Sequence, residues 1–240
     1  MSMKQINHII NKFTRQEVID IIIADIVLTF AFSFYFSTGF GGIFSTNIKN
    51  FTSNFLIYFP ISIFVITISF VLHELMHKFV AQYYGAIAGF KTSLTGLVIT
   101  ILSSLFGFLI GIPGATMIYA HNFDKKQEGI VSLAGPLTNF TIFAIFILLN
   151  FIFNPKPSSY FATFISLTFF INILLALFNM LPIFPLDGSK IFAWNKKIYV
   201  SMMAVIFILA YIFIPSLLSY IIFMIVFALI FSLFYKHILF

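Results

Sequence analysis

The sequence contains no cysteine, and only 8% of its residues are charged. Without cysteine there is no disulfide framework, no thiolate metal site and no cysteine nucleophile, so any metal must be bound through histidine, aspartate or glutamate. Soluble domains have about 25% charged residues, and so few charges could not cover a surface in water. Because 61% of the residues are hydrophobic, most of the chain must be solvated by lipid.

Lysine and arginine exceed aspartate and glutamate, which gives the 240 residues a formal net charge of +6. In a membrane protein this excess sets the orientation of the loops. No basic patch interleaved with aromatic residues indicates nucleic-acid binding. Residues 1–17 do not resemble a cleavable signal peptide, because the apolar run after them is too long and lacks a small-residue cleavage site. We therefore expect a lipid bilayer, and no nucleic acid, as a partner.

Apolar runs predict about six transmembrane helices, each close to the roughly 17–25 residues that cross a bilayer. They cover approximately residues 17–37, 55–81, 129–153, 159–181, 199–214 and 217–235. Before them, residues 4–13 have the pattern of a short amphipathic helix on the membrane surface, and Thr14-x-x-Glu17 predicts a capping box that opens the first span. The polar stretch 114–128 is expected to be a loop.

The run 93–112 is ambiguous, because several glycines interrupt it. If it enters and leaves on one side, only Lys49 and Lys156 of the 13 basic residues face the opposite side. If the run crosses the membrane instead, the basic residues divide almost evenly between the two sides. The positive-inside rule favours the first arrangement, with both termini cytoplasmic, and irregular backbone at membrane depth is tolerated where protein or a water-filled cavity covers it.

We therefore predict an all-α polytopic membrane protein with about six transmembrane helices and a re-entrant or sheet-like segment near residues 86–120. Its expected parts are a cytoplasmic amphipathic segment, a first span with its loop, a core that carries the chemistry, and C-terminal helical spans. These parts correspond to residues 1–16, 17–54, 55–190 and 191–240.

Residues 73–77 have the sequence His-Glu-Leu-Met-His, near the end of the second predicted span. Positions i and i+4 share one helix face, so His73 and His77 can reach a single metal ion. Neutral imidazoles suit zinc in the absence of thiolates. Glu74, beside the first ligand, is placed to take a proton from a water molecule at the metal. Ionisable groups within a span are expensive and mark functional sites.

A catalytic zinc site needs a third protein ligand and leaves one position open. The candidates after His77 are His121, Asp124, Glu128, Asp187 and His237. Spacing favours Asp187, because prolines at 182 and 185 break the helix and Gly188 permits an unusual backbone that can turn the carboxylate inward. Asp187 could also be an ordinary helix N-cap or turn residue. The charge-favoured topology puts His77 and Asp187 at the same face of the membrane.

Three segments resemble the signatures of the site-2 protease family, whose members are intramembrane zinc metalloproteases. They are His73-Glu-x-x-His77, Gly135-Pro-Leu-Thr-Asn139 and Asn179-x-x-Pro-x-x-Pro-Leu-Asp187-Gly188. Their order matches the core of the family, and they cover about residues 55–190. The resemblance implies one zinc per chain on His73, His77 and Asp187, with Glu74 as the catalytic base.

The resemblance also implies that the substrates are transmembrane proteins, cleaved in or near their membrane segments by a multi-pass protein of the cell membrane with its active site toward the cytoplasm. Asn139 would line the active site, in contact with the substrate or the oxyanion; without the resemblance it would be a helix–helix hydrogen bond. Residues 86–120 would correspond to a partly embedded sheet that can pair with an extended substrate. The oligomeric state stays open.

Two alternatives are weighed against this interpretation. A membrane zinc endopeptidase of the prenyl-protein type would use a downstream glutamate as third ligand, but the only glutamate after Glu74 is Glu128, in a different context. A non-catalytic membrane scaffold or a metal-binding transporter would not need Glu74. Among the other polar residues of the spans, Asp20 is expected to be solvated and Asp25 to make a packed polar contact, while Asn172 and Asn179 are expected to bond between helices.

Overall fold

The computed structural model describes residues 13–39, 42–44, 46–107 and 109–214, with scattered positions between 222 and 233. Within these residues the chain forms helices and one two-stranded sheet. In order, the elements are α1 (Arg15–Thr38), α2 (Ile48–Ile66), α3 (Leu72–Tyr83), β1 (Ile87–Thr92), α4 (Leu94–Leu105), β2 (Gly114–Tyr119), α5 (Lys125–Phe153), α6 (Tyr160–Asn179), α7 (Asp187–Trp194) and α8 (Lys196–Phe213).

The predicted fold class is confirmed. Within the described residues, five helical segments are long and apolar enough to cross a membrane: Arg15–Phe44, Ile48–Tyr83, Lys125–Phe153, Tyr160–Asn179 and Lys196–Phe213. The predicted amphipathic helix at 4–13 and the sixth predicted span at 217–235 lie almost entirely outside the described residues.

A π-helical turn, Thr67–Val71, joins α2 to α3 into one continuous helix of 36 residues. The turn ends just before the helical segment that carries His73 and His77. Such turns add one residue per helical turn and are frequent at functional sites. Ser69, at the centre of this turn, is fully buried. Its position lets both its carbonyl and its hydroxyl oxygen contact neighbouring helices.

Strands β1 and β2 form an antiparallel pair whose register runs from Ile87 opposite Tyr119 to Thr92 opposite Gly114. Because the first residue of β1 is paired with the last residue of β2, the chain enters and leaves this segment at the same end of the sheet. Helix α4 connects the two strands. The segment is therefore sheet-like, and its re-entrant path through a membrane stays the prediction that the charge distribution favours. The expectation that 114–128 is a loop is wrong for 114–119, which form β2, and for 125–128, which form the first turn of α5.

Helix α1 covers the outer edge of β1 with two carboxylates. Glu17 accepts hydrogen bonds from the Phe90 backbone N–H (3.1 Å) and from Lys78 Nζ (2.6 and 2.7 Å). Asp20 accepts one from the Thr92 N–H at 3.4 Å and is only 7% exposed. Asp20 is thus buried against the sheet, and the expectation that it is solvated is wrong.

The start of α1 is capped differently from the prediction. The Thr14 side chain accepts a hydrogen bond from the Glu17 N–H, as expected of an N-cap. The Glu17 carboxylate does not return to Thr14, because the buried Lys78 ammonium group takes both of its oxygens. Deeper in α1, Asp25 accepts a hydrogen bond from the Thr67 hydroxyl at 2.9 Å, which is the expected packed polar contact.

The largest hydrophobic cluster fills the space between α5, α6, α7 and α8, and includes Phe143, Ile173, Met180, Ile191 and Ile206. Helix α5 is central, because it packs against α3, α6 and α7. Burial of such side chains contributes about 1.5–3 kcal/mol each. This cluster holds the short α7, which begins at Asp187, against α5, and α5 in turn packs against the histidine-bearing α3.

Candidate metal centre

Three side chains from two separate helices converge on one point. His73 and His77 come from α3, and their Nε2 atoms lie 3.0 Å apart. Asp187, the first residue of α7, places Oδ2 3.6 Å from His73 Nε2 and 3.2 Å from His77 Nε2. Both histidines are buried, and Asp187 is 14% exposed. One donor atom from each residue lies within 4.8 Å of the others, as a shared metal ion requires.

The spacing of these donors fits zinc. Tetrahedral coordination with bonds of about 2.0–2.1 Å separates neighbouring ligand atoms by roughly 3.3 Å, and the three separations of 3.0, 3.2 and 3.6 Å bracket that value. Two imidazole nitrogens and one carboxylate oxygen leave the fourth position for a water molecule or substrate. The donor set therefore suits a catalytic rather than a closed structural zinc site.

Each histidine is oriented by a hydrogen bond at its other ring nitrogen. His73 Nδ1 lies 2.6 Å from Asn139 Oδ1, and His77 Nδ1 lies 2.8 Å from the carbonyl oxygen of Val131. Both oxygens can only accept hydrogen bonds. The Nδ1 atoms must therefore carry the hydrogens, which leaves the lone pairs of Nε2 for a metal.

Asp187 is presented by a turn that only glycine at the next position allows. A Cβ atom on Gly188 would overlap the Met180 carbonyl group and lie 2.5 Å from the Leu181 oxygen. Burial opposes ionisation of Asp187, but the adjacent His77 and His73 imidazoles offset it and hold the pKa of the Asp187 carboxyl below its ordinary value. The carboxylate is thus in its ligating, charged form at neutral pH.

Gly135 forms the floor of the centre. A Cβ atom at this position of α5 would lie 2.6 Å from His73 Nε2 and closer still to His77 Nε2. No side chain larger than hydrogen leaves room for both imidazoles. The close approach of α5 to α3 explains why glycine stands in the middle of a membrane helix at this point.

Glu74 is fixed by strand β2. Its Oε2 accepts hydrogen bonds from the Thr116 backbone N–H at 2.8 Å and from the Thr116 hydroxyl at 2.8 Å. Within the described part of the chain, Oε1 has no hydrogen-bond partner, so one carboxylate oxygen is anchored and the other is free to accept a proton. A general base needs this combination of fixed position and open lone pair.

Asn139 is completely buried, and every polar atom of its side chain has a partner in the protein. Oδ1 faces His73, while Nδ2 donates to the Ser69 carbonyl oxygen and to Asn172 Oδ1, both at 2.8 Å. The predicted contact of Asn139 with substrate or oxyanion stays a prediction. The observed contacts favour a role in holding His73.

The remaining candidates for the third ligand lie elsewhere. His121 and Glu128 are exposed, and Asp124 caps the start of α5 by accepting the Gln127 N–H. His237 lies outside the described residues. Asn179, which is expected from the sequence to bond between helices, instead donates to the Leu175 carbonyl oxygen of its own helix. Of the candidates that are described, the structure brings only Asp187 to the two histidines.

Three contributors escaped the sequence analysis: Thr116, Ser69 and the Val131 carbonyl group. All three act wholly or partly through backbone atoms, and residue identity gives no indication of such contacts. Thr116 also lies in a segment expected to be a loop. The threonine in an otherwise apolar run (Ala-Thr-Met-Ile, 115–118) is the only signal that could have singled it out.

Comparisons with known proteins agree with this geometry. Residues 151–199 match the model of Peptidase family M50. The chain is 36% identical over 189 residues to a protein of Methanocaldococcus jannaschii named as a candidate zinc metalloprotease. The aligned residues cover 78% of this chain and 89% of that protein. The chain is also 28% identical over 135 residues (56% of this chain, 34% of the relative) to a zinc metalloprotease of the same organism.

A third relative, named as a candidate zinc metalloprotease of Bacillus subtilis, is 31% identical over 160 residues, 56% of this chain and 71% of that protein. No solved structure matches the chain significantly.

Proposed function

The chain belongs to peptidase family M50, the site-2 protease family of zinc metalloproteases, and from that membership we propose that it is an intramembrane endopeptidase. Its substrates are other membrane proteins, cleaved in or near their transmembrane segments. The observation that carries the proposal is the convergence of donor atoms from His73, His77 and Asp187. Glu74 follows His73 in the same helix and is anchored through one carboxylate oxygen. Both histidines and Glu74 lie on a helix long and apolar enough to span a membrane.

One zinc per chain, held by His73, His77 and Asp187, would supply a Lewis acid that polarises the scissile carbonyl group and makes the attacking water more acidic. Glu74 Oε1 accepts a proton from that water and then delivers it to the leaving nitrogen. Thr116 keeps the carboxylate in place during both transfers through its bonds to Oε2. The two Nδ1 hydrogen bonds keep the histidine rings in the orientation that presents Nε2.

The substrate adopts an extended conformation beside β2. The outer edge of β1 is covered by Glu17 and Asp20 of α1, whereas the outer edge of β2 carries Glu74. A segment that pairs with this edge brings its peptide bonds to the base. A transmembrane helix must unwind to do so, because its own hydrogen bonds shield each peptide group. Helix-breaking residues near the cut therefore favour cleavage.

The protein lies in the cell membrane, with the site toward the cytoplasm. The support is the distribution of basic residues: with β1, α4 and β2 re-entrant, only Lys49 and Lys156 fall on the far side. His77 and Asp187 then lie at the cytoplasmic ends of their segments, where water can reach the metal.

Substitution Glu74→Gln tests the proposed function. Purified protein in liposomes would be given a designed single-span polypeptide with an Asn-Pro pair near its cytoplasmic end, and product would be followed by mass spectrometry. We expect cleavage to fall by roughly 10²–10⁴-fold, because the general base is lost. Bound zinc, measured by elemental analysis, stays at one per chain because glutamine leaves all three ligands in place.

Asp187→Ala is the matched variant, and it removes zinc as well as activity. A polypeptide without the Asn-Pro pair should be cleaved more slowly by the wild type. If Glu74→Gln cleaves at the wild-type rate, or if Asp187→Ala keeps stoichiometric zinc, the proposed chemistry is wrong. A scaffold or transporter would be indifferent to Glu74→Gln.

A further inference from the structure

A chain of hydrogen bonds leads from helix α6 to the metal ligand His73, and its first member is Asn172. This residue is fully buried. Its Nδ2 lies 2.8 Å from the Thr168 carbonyl oxygen, one turn earlier in α6, and 2.7 Å from Ser69 Oγ. A backbone carbonyl oxygen can only accept. The amide nitrogen of Asn172 must therefore face Thr168, and the amide oxygen must face the other way, toward Asn139.

The orientation of the Asn139 amide group follows from the same argument. Its Nδ2 lies 2.8 Å from Asn172 Oδ1 and 2.8 Å from the Ser69 carbonyl oxygen. Both of these atoms only accept, so the two N–H groups of Asn139 are used and its Oδ1 points at His73 Nδ1, 2.6 Å away. A flipped Asn139 amide would oppose two acceptors with its own oxygen, and each unsatisfied buried group costs about 1–3 kcal/mol.

The last step concerns His73. Because Asn139 Oδ1 accepts, the neutral imidazole must hold its hydrogen on Nδ1, and the lone pair is then on Nε2, the atom that faces His77 and Asp187. We propose that Asn172 is a positioning residue for the metal: through Asn139 it selects the tautomer of His73 that can bind zinc. The proposal rests on the zinc site of the proposed function.

Asn172 is needed because Ser69 alone holds only one of the two N–H groups of Asn139. Without Asn172, a flipped Asn139 amide would place its oxygen against one acceptor only, the Ser69 carbonyl oxygen. The two orientations of the Asn139 amide would then be closer in free energy. His77 has no such requirement, since its Nδ1 donates directly to the Val131 carbonyl oxygen. The backbone orients one histidine of the pair, and a side-chain relay orients the other.

The test is the zinc affinity of Asn172→Leu, measured by competition with a chromophoric chelator in detergent. Leucine has a similar volume but can neither donate nor accept. We expect the dissociation constant for zinc to rise about tenfold, at the lower end of the 10–100-fold effect of losing an outer hydrogen-bond partner. Thr168→Val is the matched control, because the Thr168 hydroxyl bonds only within its own helix, to Phe164, and the Thr168 carbonyl group is retained. This control should bind zinc like the wild type.

A second measurement separates tautomer selection from general packing. In metal-free Asp187→Ala protein with ¹⁵N-labelled histidine, where no carboxylate faces Nε2, adding Asn172→Leu should lower the share of His73 rings that carry the hydrogen on Nδ1. If leucine at this position gives no folded protein, Asn172→Met takes its place, since the flexible methionine fills irregular space.

Unchanged zinc affinity with an unchanged share of these His73 rings in a folded Asn172 variant would overturn the inference. So would an equal loss of affinity in Thr168→Val, since that would make the effect one of packing in α6. If wild-type protein binds no zinc, the proposed function fails, but the ¹⁵N measurement on metal-free protein still decides the relay.

Discussion

Thr116 holds the proposed base with two atoms of different kinds, its backbone N–H and its hydroxyl. The hydroxyl is also 3.0 Å from the Glu74 carbonyl oxygen, so its single hydrogen can be shared between the Glu74 carboxylate and the Glu74 carbonyl group. The strand supplies the N–H whatever residue stands here, whereas the hydroxyl depends on the side chain. The two contributions can therefore be separated by substitution.

Thr116→Val removes the hydroxyl and preserves both the shape of the side chain and the N–H. We expect kcat for the single-span substrate to fall about tenfold, the equivalent of one hydrogen bond to a charged group. KM and zinc content should be unchanged, because neither the strand edge nor the ligands are altered. Thr116→Ser restores the hydroxyl and should recover most of the rate. A valine variant with wild-type kcat would show that the N–H suffices.

At the scale of elements, one buried ion pair ties three of them together. Lys78 of α3 is 1% exposed, donates to both oxygens of Glu17 in α1, and lies 3.6 Å from the centre of the Phe13 ring. Glu17 in turn accepts the Phe90 N–H of β1. Since Lys78 follows His77 directly, this pair also fixes the end of α3 that carries the metal ligands.

Lys78→Met tests this connection. Removal of one partner leaves a buried carboxylate uncompensated, which typically costs about 3–5 kcal/mol, so the midpoint of thermal unfolding in detergent should fall markedly. The double variant Glu17→Leu with Lys78→Met removes both charges and should be less destabilised than Lys78→Met alone. A double variant at least as unstable as that single one would mean that the two charges do not depend on each other.

The sequence predicted those helices and site residues that depend on patterns within a short stretch of the chain. The spans follow from apolar length alone, and His73 and His77 from a four-residue spacing on one helix. Local polarity alone placed β2 in a loop, because the strand is six residues long and its partner β1 ends more than twenty residues earlier; the predicted sheet-like segment at 86–120 does contain it. The Lys78–Glu17 pair joins residues 61 positions apart, and a periodic sequence pattern cannot predict a contact between residues so far apart. Spacing already favoured Asp187 as the third ligand, and the family resemblance distinguished it from an ordinary helix N-cap.

For the molecule as a whole, the order of the elements fixes which loops share a side. The turn between β2 and α5 and the turn between α5 and α6 lie at opposite ends of α5, a helix of 29 residues. Such a helix measures about 43 Å at 1.5 Å per residue, more than the roughly 30 Å of a hydrocarbon core. Both turns should therefore reach water on opposite faces.

Because the sequence contains no cysteine, single cysteines can be introduced without first replacing native ones. Labelling of these cysteines tests the orientation. Asn122→Cys and Ser158→Cys place single thiols at exposed positions in those two turns. In intact cells, a membrane-impermeant maleimide should label the Ser158 variant only, because the positive-inside rule puts residue 122 in the cytoplasm. Both variants should react after permeabilisation. Labelling of the Asn122 variant alone in intact cells would invert the proposed topology.

The covered edge of β1 has a consequence for copies of the chain that meet in a membrane. Propagation of strands from molecule to molecule, as in a fibre, needs two free edges on every molecule. Glu17 and Asp20 occupy the N–H groups of one edge, so at most one remains for pairing between chains. Association through the sheet would stop at a closed pair, so the strand edge proposed for substrate binding would not lead to polymers of the protein itself.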